Sequence, residues 1–199
     1  MMIMNKEVPF LYKFGRVLLK PLFKFYYNPK IIGKENIPME KPVLIVGNHK
    51  HAYDQFLTII ATKRGIHYMA KKEYFDKKFS KWIFEHVGCI PVNREIKDKE
   101  AVEKALSVLK DGGAIGLFPE GTRNKTGKFL LPFKYGAVSM AKKTGAYIVP
   151  FGLTGDYKFR SNNLTIRYGK PFKVGNMSLE EANAKLYKKI EKLMKNNLK

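Results

Sequence analysis

The chain has 199 residues, of which 45% are apolar, so it can bury the core of one domain and is not a disordered tail. Its 38 Lys and Arg residues against 17 Asp and Glu residues give a formal net charge of +21, which predicts an anionic partner: nucleic acid, a phospholipid surface, an acidic protein or a phosphate ester. The single cysteine, Cys89, excludes an intrachain disulfide and any zinc site built from several thiolates.

The first segment that stands apart is 8–27, which is rich in leucine and phenylalanine. Four of its cations recur every three or four positions, on one helical stripe: Lys13, Arg16, Lys20 and Lys24. Pro21 interrupts the pattern, so we expect two short helices rather than one. Such a pair suits a membrane interface, although a helical segment packed on the domain with solvated lysines fits the same pattern. No stretch approaches the ~20 apolar residues that cross a bilayer, and no export signal is expected.

After a loop predicted at 28–39, strand-like and helical patterns alternate. Strands are expected at 43–46, 67–70, 89–92, 114–118, 148–151 and 164–168. Helices are expected at 55–63, 77–86, 97–110, 133–143 and from Ser178 onward, where Ser178 and Glu181 form a capping box. The alternation predicts a single α/β domain at 30–199 with a mostly parallel central sheet flanked by helices. The amphipathic membrane-interface helical pair precedes it at 1–29.

A histidine and a carboxylate follow the first apolar strand, at His49 and Asp54. In an open α/β sheet, ligands bind beside loops at the carboxyl ends of strands. A histidine there can act as a general base, and a carboxylate can orient it and stabilise the imidazolium. Since Gly-x-Ser-x-Gly is absent, the substrate would supply the nucleophile, such as a hydroxyl. The alternative is a helix cap without catalysis.

His49 and His51 followed by Asp54 also raise the possibility of a metal site. In the dinuclear-hydrolase pattern the acidic residue comes sooner and a further histidine follows it directly, whereas here Gln55 follows Asp54. The sequence therefore predicts no metal ligands and no cofactor.

A second motif follows another buried strand, at 118–123. Gly121 permits a tight turn, and Thr122 and Arg123 add a hydroxyl and a planar cation suited to phosphate. Lys134 opens the next predicted helix, and Glu120 needs a partner such as Arg123 or a substrate hydroxyl. A surface turn with a salt bridge is the alternative.

Two weaker candidates complete the set. Arg94 ends a predicted strand and could add a second phosphate contact. Val149 and Pro150 end an apolar strand that could line an acyl channel, although a core strand fits equally well.

Taken together and in order, these motifs resemble the glycerolipid acyltransferase family. The resemblance rests on Asn-His-x4-Asp, Gly-x5-Arg, Phe-Pro-Glu-Gly-Thr-Arg and Ile-Val-Pro, and it covers about residues 43–151. The subgroup that it most resembles is the bacterial 1-acyl-sn-glycerol-3-phosphate (lysophosphatidic acid) acyltransferases. At positions 51–53 the sequence departs from the family, where smaller or more polar residues are commoner.

The resemblance implies acyl transfer from an acyl carrier protein or CoA thioester to the sn-2 hydroxyl of lysophosphatidic acid, giving phosphatidic acid. It implies His49 as base, Asp54 as its orienting group, and phosphate binding by Arg94, Lys134 and the turn of Glu120, Gly121, Thr122 and Arg123. It also implies an acyl or donor channel at Val149 and Pro150, and peripheral attachment at the cytoplasmic face of the membrane.

Other functions stay open at this stage. The acceptor could be glycerol 3-phosphate or another lysolipid, or the His–Asp pair could serve a membrane-associated hydrolase. The chief alternative of another class is a basic nucleic-acid-binding module, which the charge favours. It lacks the standard nucleic-acid motifs, so we expect an anionic membrane surface and no nucleic acid as partner.

Overall fold

The computed structural model describes residues 8–93, 95–96 and 98–199. Its α-helices are α1 (Phe10–Tyr27), α2 (Asp54–Ala61), α3 (Lys78–His86), α4 (Lys99–Lys110), α5 (Gly136–Thr144) and α6 (Leu179–Asn197). Its strands are β1 (Lys30–Ile32), β2 (Val43–Gly47), β3 (His67–Lys71), β4 (Ile90–Val92), β5 (Ala114–Leu117), β6 (Tyr147–Thr154) and β7 (Thr165–Tyr168). Short 3-10 helices cover Lys34–Asn36 and Lys72–Phe75.

The strands form one sheet in the order β1-β7-β6-β2-β5-β3-β4, in which only the β6–β7 pair is antiparallel. The predicted α/β fold with a mostly parallel sheet is therefore confirmed. Strand β2 is buried along its whole length between β5 and β6, as expected for an apolar run in a parallel sheet. Because these three strands are parallel, the loops that follow them leave the sheet at the same edge.

Successive side chains of β2 point to opposite faces of the sheet, and all of them are apolar. Both faces must therefore be covered, and helices pack on each of them. Leu44 and Val46 belong to the core cluster that includes α4, α5 and α6. Val43 and Ile45 belong to the second cluster, with α2 and Phe23 of α1. The site loops at the sheet edge are thus supported by packing on both faces.

The expected pair of N-terminal helices is wrong, because α1 is one helix that continues through Pro21. A proline removes the hydrogen bond to the carbonyl four residues earlier, which here belongs to Val17. Pro21 is exposed and Val17 is 65% exposed, so water can reach that carbonyl. Tyr12 and Phe23 are buried on either side of Pro21 and dock both halves of the helix on the domain.

Two further boundaries differ from the prediction. The predicted loop at 28–39 contains β1, whose three residues pair with β7 but are too few to show a period. Helix α5 begins at Gly136 rather than at Phe133, since Lys134 belongs to the loop and its N–H donates to the Pro119 carbonyl at 2.8 Å. The predicted domain boundary at 29/30 stays a prediction. Within the described residues, no helix combines the length and apolar character needed to span a membrane.

Candidate active site

Two hydrogen bonds, one to a side chain and one between backbone groups, join the loops that follow β2 and β5 at the carboxyl edge of the sheet. The N–H of His49 donates to Oε1 of Glu120 at 2.7 Å, and the N–H of Asn124 donates to the His49 carbonyl at 2.7 Å. The Asn48 side chain bonds the N–H and the carbonyl of Leu153 on β6 at 2.8 and 2.9 Å. His49 is therefore held between the ends of three neighbouring strands.

His49 and Asp54 form the hydrogen-bonded pair that the sequence predicts. Nδ1 of His49 lies 2.8 Å from Oδ2 of Asp54, and the Asp54 side chain is fully buried. Because a carboxylate only accepts, Nδ1 carries a proton, and in the neutral imidazole Nε2 then carries the lone pair. The His49 side chain is 15% exposed and its ring stacks on Phe118, with centroids 4.0 Å apart. The pair thus has the orientation of a general base and its supporting carboxylate.

The buried Asp54 carboxylate accepts further hydrogen bonds from two loops. Oδ2 accepts the N–H groups of Lys50 at 2.7 Å and His51 at 2.8 Å, at the start of α2. Oδ1 accepts the hydroxyl of Tyr157, at 2.7 Å, from the loop after β6. Tyr157 was not among the predicted site residues. The signal that points to its loop is topological, because β6 is a parallel neighbour of β2 and its loop leaves the same edge.

Glu120 is the buried link between the two loops. It is 5% exposed, and its two oxygens accept the N–H groups of His49 at 2.7 Å and Leu131 at 3.0 Å. Burial raises the pKa of Glu120 above its ordinary value, while these two N–H groups act in the opposite direction. Glu120 therefore has a structural role, in which it holds the loop after β2 against the loop after β5. Its predicted contact with a phosphate group stays a prediction.

The turn after β5 brings Gly121 and Lys134 together. Gly121 has φ +71°, and a Cβ on it would lie 2.9 Å from Cε and 3.1 Å from Nζ of Lys134, so a side chain there would be strained and crowded. Thr122, Arg123 and Lys134 are exposed on this turn. Two cations and a hydroxyl can therefore meet an anion here.

The remaining predicted residues stay untested. Arg94 lies outside the described residues, two positions after the end of β4. Val149 is fully buried in the core and Pro150 is buried beside it on β6, so both residues pack inside the domain. Their predicted part in an acyl channel stays a prediction.

Comparison with known proteins identifies the family. The family model described as Acyltransferase matches residues 28–154, which include both loops of the site. A 1-acyl-sn-glycerol-3-phosphate acyltransferase of Borreliella burgdorferi is 37% identical over 141 residues, 70% of this chain and 56% of that protein. One of Bacillus subtilis is 30% identical over 166 residues, 81% of this chain and 82% of that protein.

The chain belongs to the acyltransferase family. It spans little more than half the length of the Borreliella relative and most of the Bacillus one. The fold is also that of a crystal structure described as the 1-acyl-sn-glycerophosphate (LPA) acyltransferase, PlsC, from Thermotoga maritima. That chain is 24% identical, with a TM-score of 0.73, and the match covers 94% of this chain and 77% of that one.

Because Glu120 links two loops, its removal should lower the stability of the fold. Glu120→Ala removes the acceptor of two partly buried N–H groups, and an unsatisfied buried group costs about 1–3 kcal/mol. We expect the free energy of unfolding in urea to fall by about 2–4 kcal/mol. Thr122→Ala, on the exposed part of the same turn, should change it by less than about 0.5 kcal/mol. Equal stability of the two variants would contradict the structural role of Glu120.

Proposed function

We propose that the chain transfers a fatty acyl group from an acyl thioester to the sn-2 hydroxyl of lysophosphatidic acid, giving phosphatidic acid in phospholipid biosynthesis. One observation carries the proposal: the His49–Asp54 pair lies at the sheet edge where the next loop presents Arg123. The Borreliella and Bacillus relatives are both 1-acyl-sn-glycerol-3-phosphate acyltransferases by name, which supports the choice of acceptor. The resemblance found in the sequence supports the same reaction.

In the proposed reaction, Nε2 of His49 takes the proton of the acceptor hydroxyl as its oxygen attacks the thioester carbonyl. The C–O bond forms, the C–S bond breaks, and the leaving thiolate takes the proton back from the imidazolium. Asp54 holds Nδ1–H and stabilises the imidazolium between these steps, as in other His–carboxylate pairs. The transfer uses neither an acyl-enzyme nor a cofactor beyond the thioester itself.

The acceptor's phosphate would bind on the turn at 120–123. Arg123 offers planar, permanently charged donors, and the Lys134 amine adds a second cation beside Gly121. Arg94 would supply a further contact, as the resemblance implies. Since the phosphate and the reacting hydroxyl belong to the same molecule, binding the phosphate at this turn would hold the hydroxyl near His49, where it could attack a bound thioester.

The donor, acyl carrier protein or CoA, is the less constrained part of the proposal. Both are anionic, so the net charge of +21 favours either one. Glycerol 3-phosphate is the acceptor alternative within the family, and water is the acceptor in the hydrolase alternative. The products distinguish them, because these reactions yield phosphatidic acid, lysophosphatidic acid or free fatty acid.

We further propose that α1 attaches the protein peripherally to an anionic membrane surface. The helix has an inner face with the buried residues Tyr12 and Phe23 and a broad outer apolar face. Six apolar side chains of that outer face are at least half exposed: Phe10, Phe14, Val17, Leu18, Leu22 and Phe25. Such a patch on a surface helix is typical of a membrane-docking site.

Cations accompany this apolar face. Lys13, Lys20 and Lys24 are exposed and lie along one side of the helix, between its inner face and its outer apolar face. Anionic headgroups would meet these lysines while the apolar side chains enter the acyl boundary. The cytoplasmic side of the membrane follows from the resemblance alone and stays a prediction.

The base predicts the effect of removing His49. With lysophosphatidic acid in vesicles and acyl-CoA or acyl carrier protein thioester, the wild type should yield phosphatidic acid, identified by mass. His49→Ala should lower kcat by about 10²–10⁴-fold with the fold intact, since a positioned base contributes that factor. His86→Ala, the same change on α3, should leave kcat unchanged. An unchanged kcat in folded His49→Ala would refute the base.

The phosphate site predicts a different effect for Arg123. A hydrogen bond to a charged group is worth about 1.5–3 kcal/mol, so Arg123→Ala should raise KM for the acceptor by about tenfold or more. Lys125→Ala, which removes a cation from the same exposed loop, is the matched control and should have little effect. If both variants leave the acceptor KM unaltered, the phosphate does not bind at this turn.

If the outer face of α1 binds membranes, Leu22 on that face should contribute to vesicle binding and Leu198 should not. Leu22 and Leu198 are exposed to similar extents, 63% and 68%, but only Leu22 lies on the outer face of α1. Leu22→Ser should weaken co-sedimentation with phosphatidylglycerol-containing vesicles by about tenfold or more, because it removes about 1.5–3 kcal/mol of apolar burial. Leu198→Ser should bind like the wild type, and salt should weaken binding of both. Equal binding of the two variants would argue against docking by α1.

A further inference from the structure

The Asp54 carboxylate is supported unevenly by its hydrogen bonds. Oδ2 accepts three of them, from His49 Nδ1 at 2.8 Å and from the N–H groups of Lys50 and His51 at 2.7 and 2.8 Å. Oδ1 accepts the hydroxyl of Tyr157 at 2.7 Å. Since Asp54 is fully buried, an oxygen without a donor would carry the desolvation cost of a charged group.

We propose that Tyr157 is a positioning residue, which holds the Asp54 carboxylate in the rotation that directs Oδ2 at His49, and that α1 in turn holds the Tyr157 ring. The inference rests on the proposed function, because it assigns Tyr157 a part in the work of the His49–Asp54 pair. Tyr157 touches Asp54 rather than the reacting atoms, so it acts through the carboxylate alone.

The hydroxyl of Tyr157 is suited to this task. Burial and the neighbouring Asp54 carboxylate raise the pKa of Tyr157 above its ordinary value, so the hydroxyl keeps its proton and remains a donor. The three donors on Oδ2 lie on or near its own turn, at positions 49–51, whereas Tyr157 comes from the loop after β6, 103 positions away. Among the described residues, this hydrogen bond alone reaches the carboxylate from outside that turn, and it therefore limits rotation about the carboxylate axis.

The Tyr157 ring is held by aromatic neighbours on three sides. It stacks on His51, with centroids 4.5 Å apart and 24° between the planes. It meets Tyr53 edge-on at 6.1 Å. From α1, Phe23 and Tyr27 approach its ring at 6.5 and 5.5 Å, with interplanar angles of 77° and 83°. Edge-to-face contacts of this kind restrict a ring to one orientation.

A second contact ties the same two loops together. Nζ of Lys50 donates to the carbonyl of Gly155 and lies 4.0 Å from the Asp156 carboxylate. The loop after β6 is thus fastened to the loop after β2 at both Gly155 and Tyr157. Helix α1, whose outer face is apolar, is also connected to the Asp54 carboxylate. Phe23 and Tyr27 of α1 contact the ring of Tyr157, and the Tyr157 hydroxyl donates to Asp54.

The test is Tyr157→Phe, which removes the hydroxyl and keeps the ring. We expect kcat to fall by about 10-fold to 100-fold, the range of one hydrogen bond to a charged group, with both KM values unchanged. In an Asp54→Asn background the same change should lower kcat by less than about threefold, because the two residues act as a unit. Tyr74→Phe, in the Lys72–Phe75 turn, is the matched control and should leave kcat unchanged.

A spectroscopic measurement makes the test independent of activity. The Nδ1–H proton of His49 should give a downfield proton resonance, assigned by its loss in His49→Ala, and Tyr157→Phe should shift or broaden it. An unchanged resonance overturns the proposal, whether or not the chain transfers acyl groups. An altered resonance with unchanged kcat also overturns it. Failure of the proposed function shows separately, as a wild type that makes no phosphatidic acid.

The part assigned to α1 has its own test. Phe23→Leu keeps an apolar side chain and removes the ring that contacts Tyr157. We expect it to lower kcat severalfold, and to add no further loss when Tyr157 is already Phe. Additive losses in the double variant, or no loss in Phe23→Leu itself, would show that α1 does not hold Tyr157 for this purpose.

Discussion

The site depends on one buried negative charge. Asp54 has no exposed surface, and a carboxylate in that position is stable only when donors surround it. Those donors come from the loop after β2 and the loop after β6, so satisfying the charge requires both loops to fold onto each other. The same charge then orients the His49 imidazole through Nδ1 and leaves Nε2 available for the base chemistry proposed above. One interaction thus joins the stability of the sheet edge to the chemistry proposed there.

Glu120 is a second buried carboxyl group that links two loops, in this case the loops after β2 and β5. Its two oxygens accept N–H groups from His49 and Leu131, so the turn that carries Arg123 cannot move independently of His49. A motif that places a carboxylate next to cations would be expected to form a salt bridge, yet here the carboxylate is buried and serves the backbone. The cations of the turn are consequently available to an anionic ligand.

The sequence predicts the fold and the pair more readily than the residues that support them. Apolar runs at 43–46 and 114–118 predict buried parallel strands, and parallel strands place their following loops at one edge; both points are confirmed. Tyr157 could not be found, because its partner is 103 positions away and its sequence neighbours form no motif. The continuous α1 was missed because the rule for Pro21 concerns one hydrogen bond, whereas Tyr12 and Phe23 supply tertiary packing on both sides of it.

The most direct test is a crystal structure of the wild-type protein with lysophosphatidic acid bound. The account predicts that the sn-2 hydroxyl oxygen lies about 2.6–3.2 Å from Nε2 of His49, or one water molecule away, with the phosphate in contact with Arg123 and Lys134. A phosphate bound to another surface, or a hydroxyl remote from His49, would contradict it.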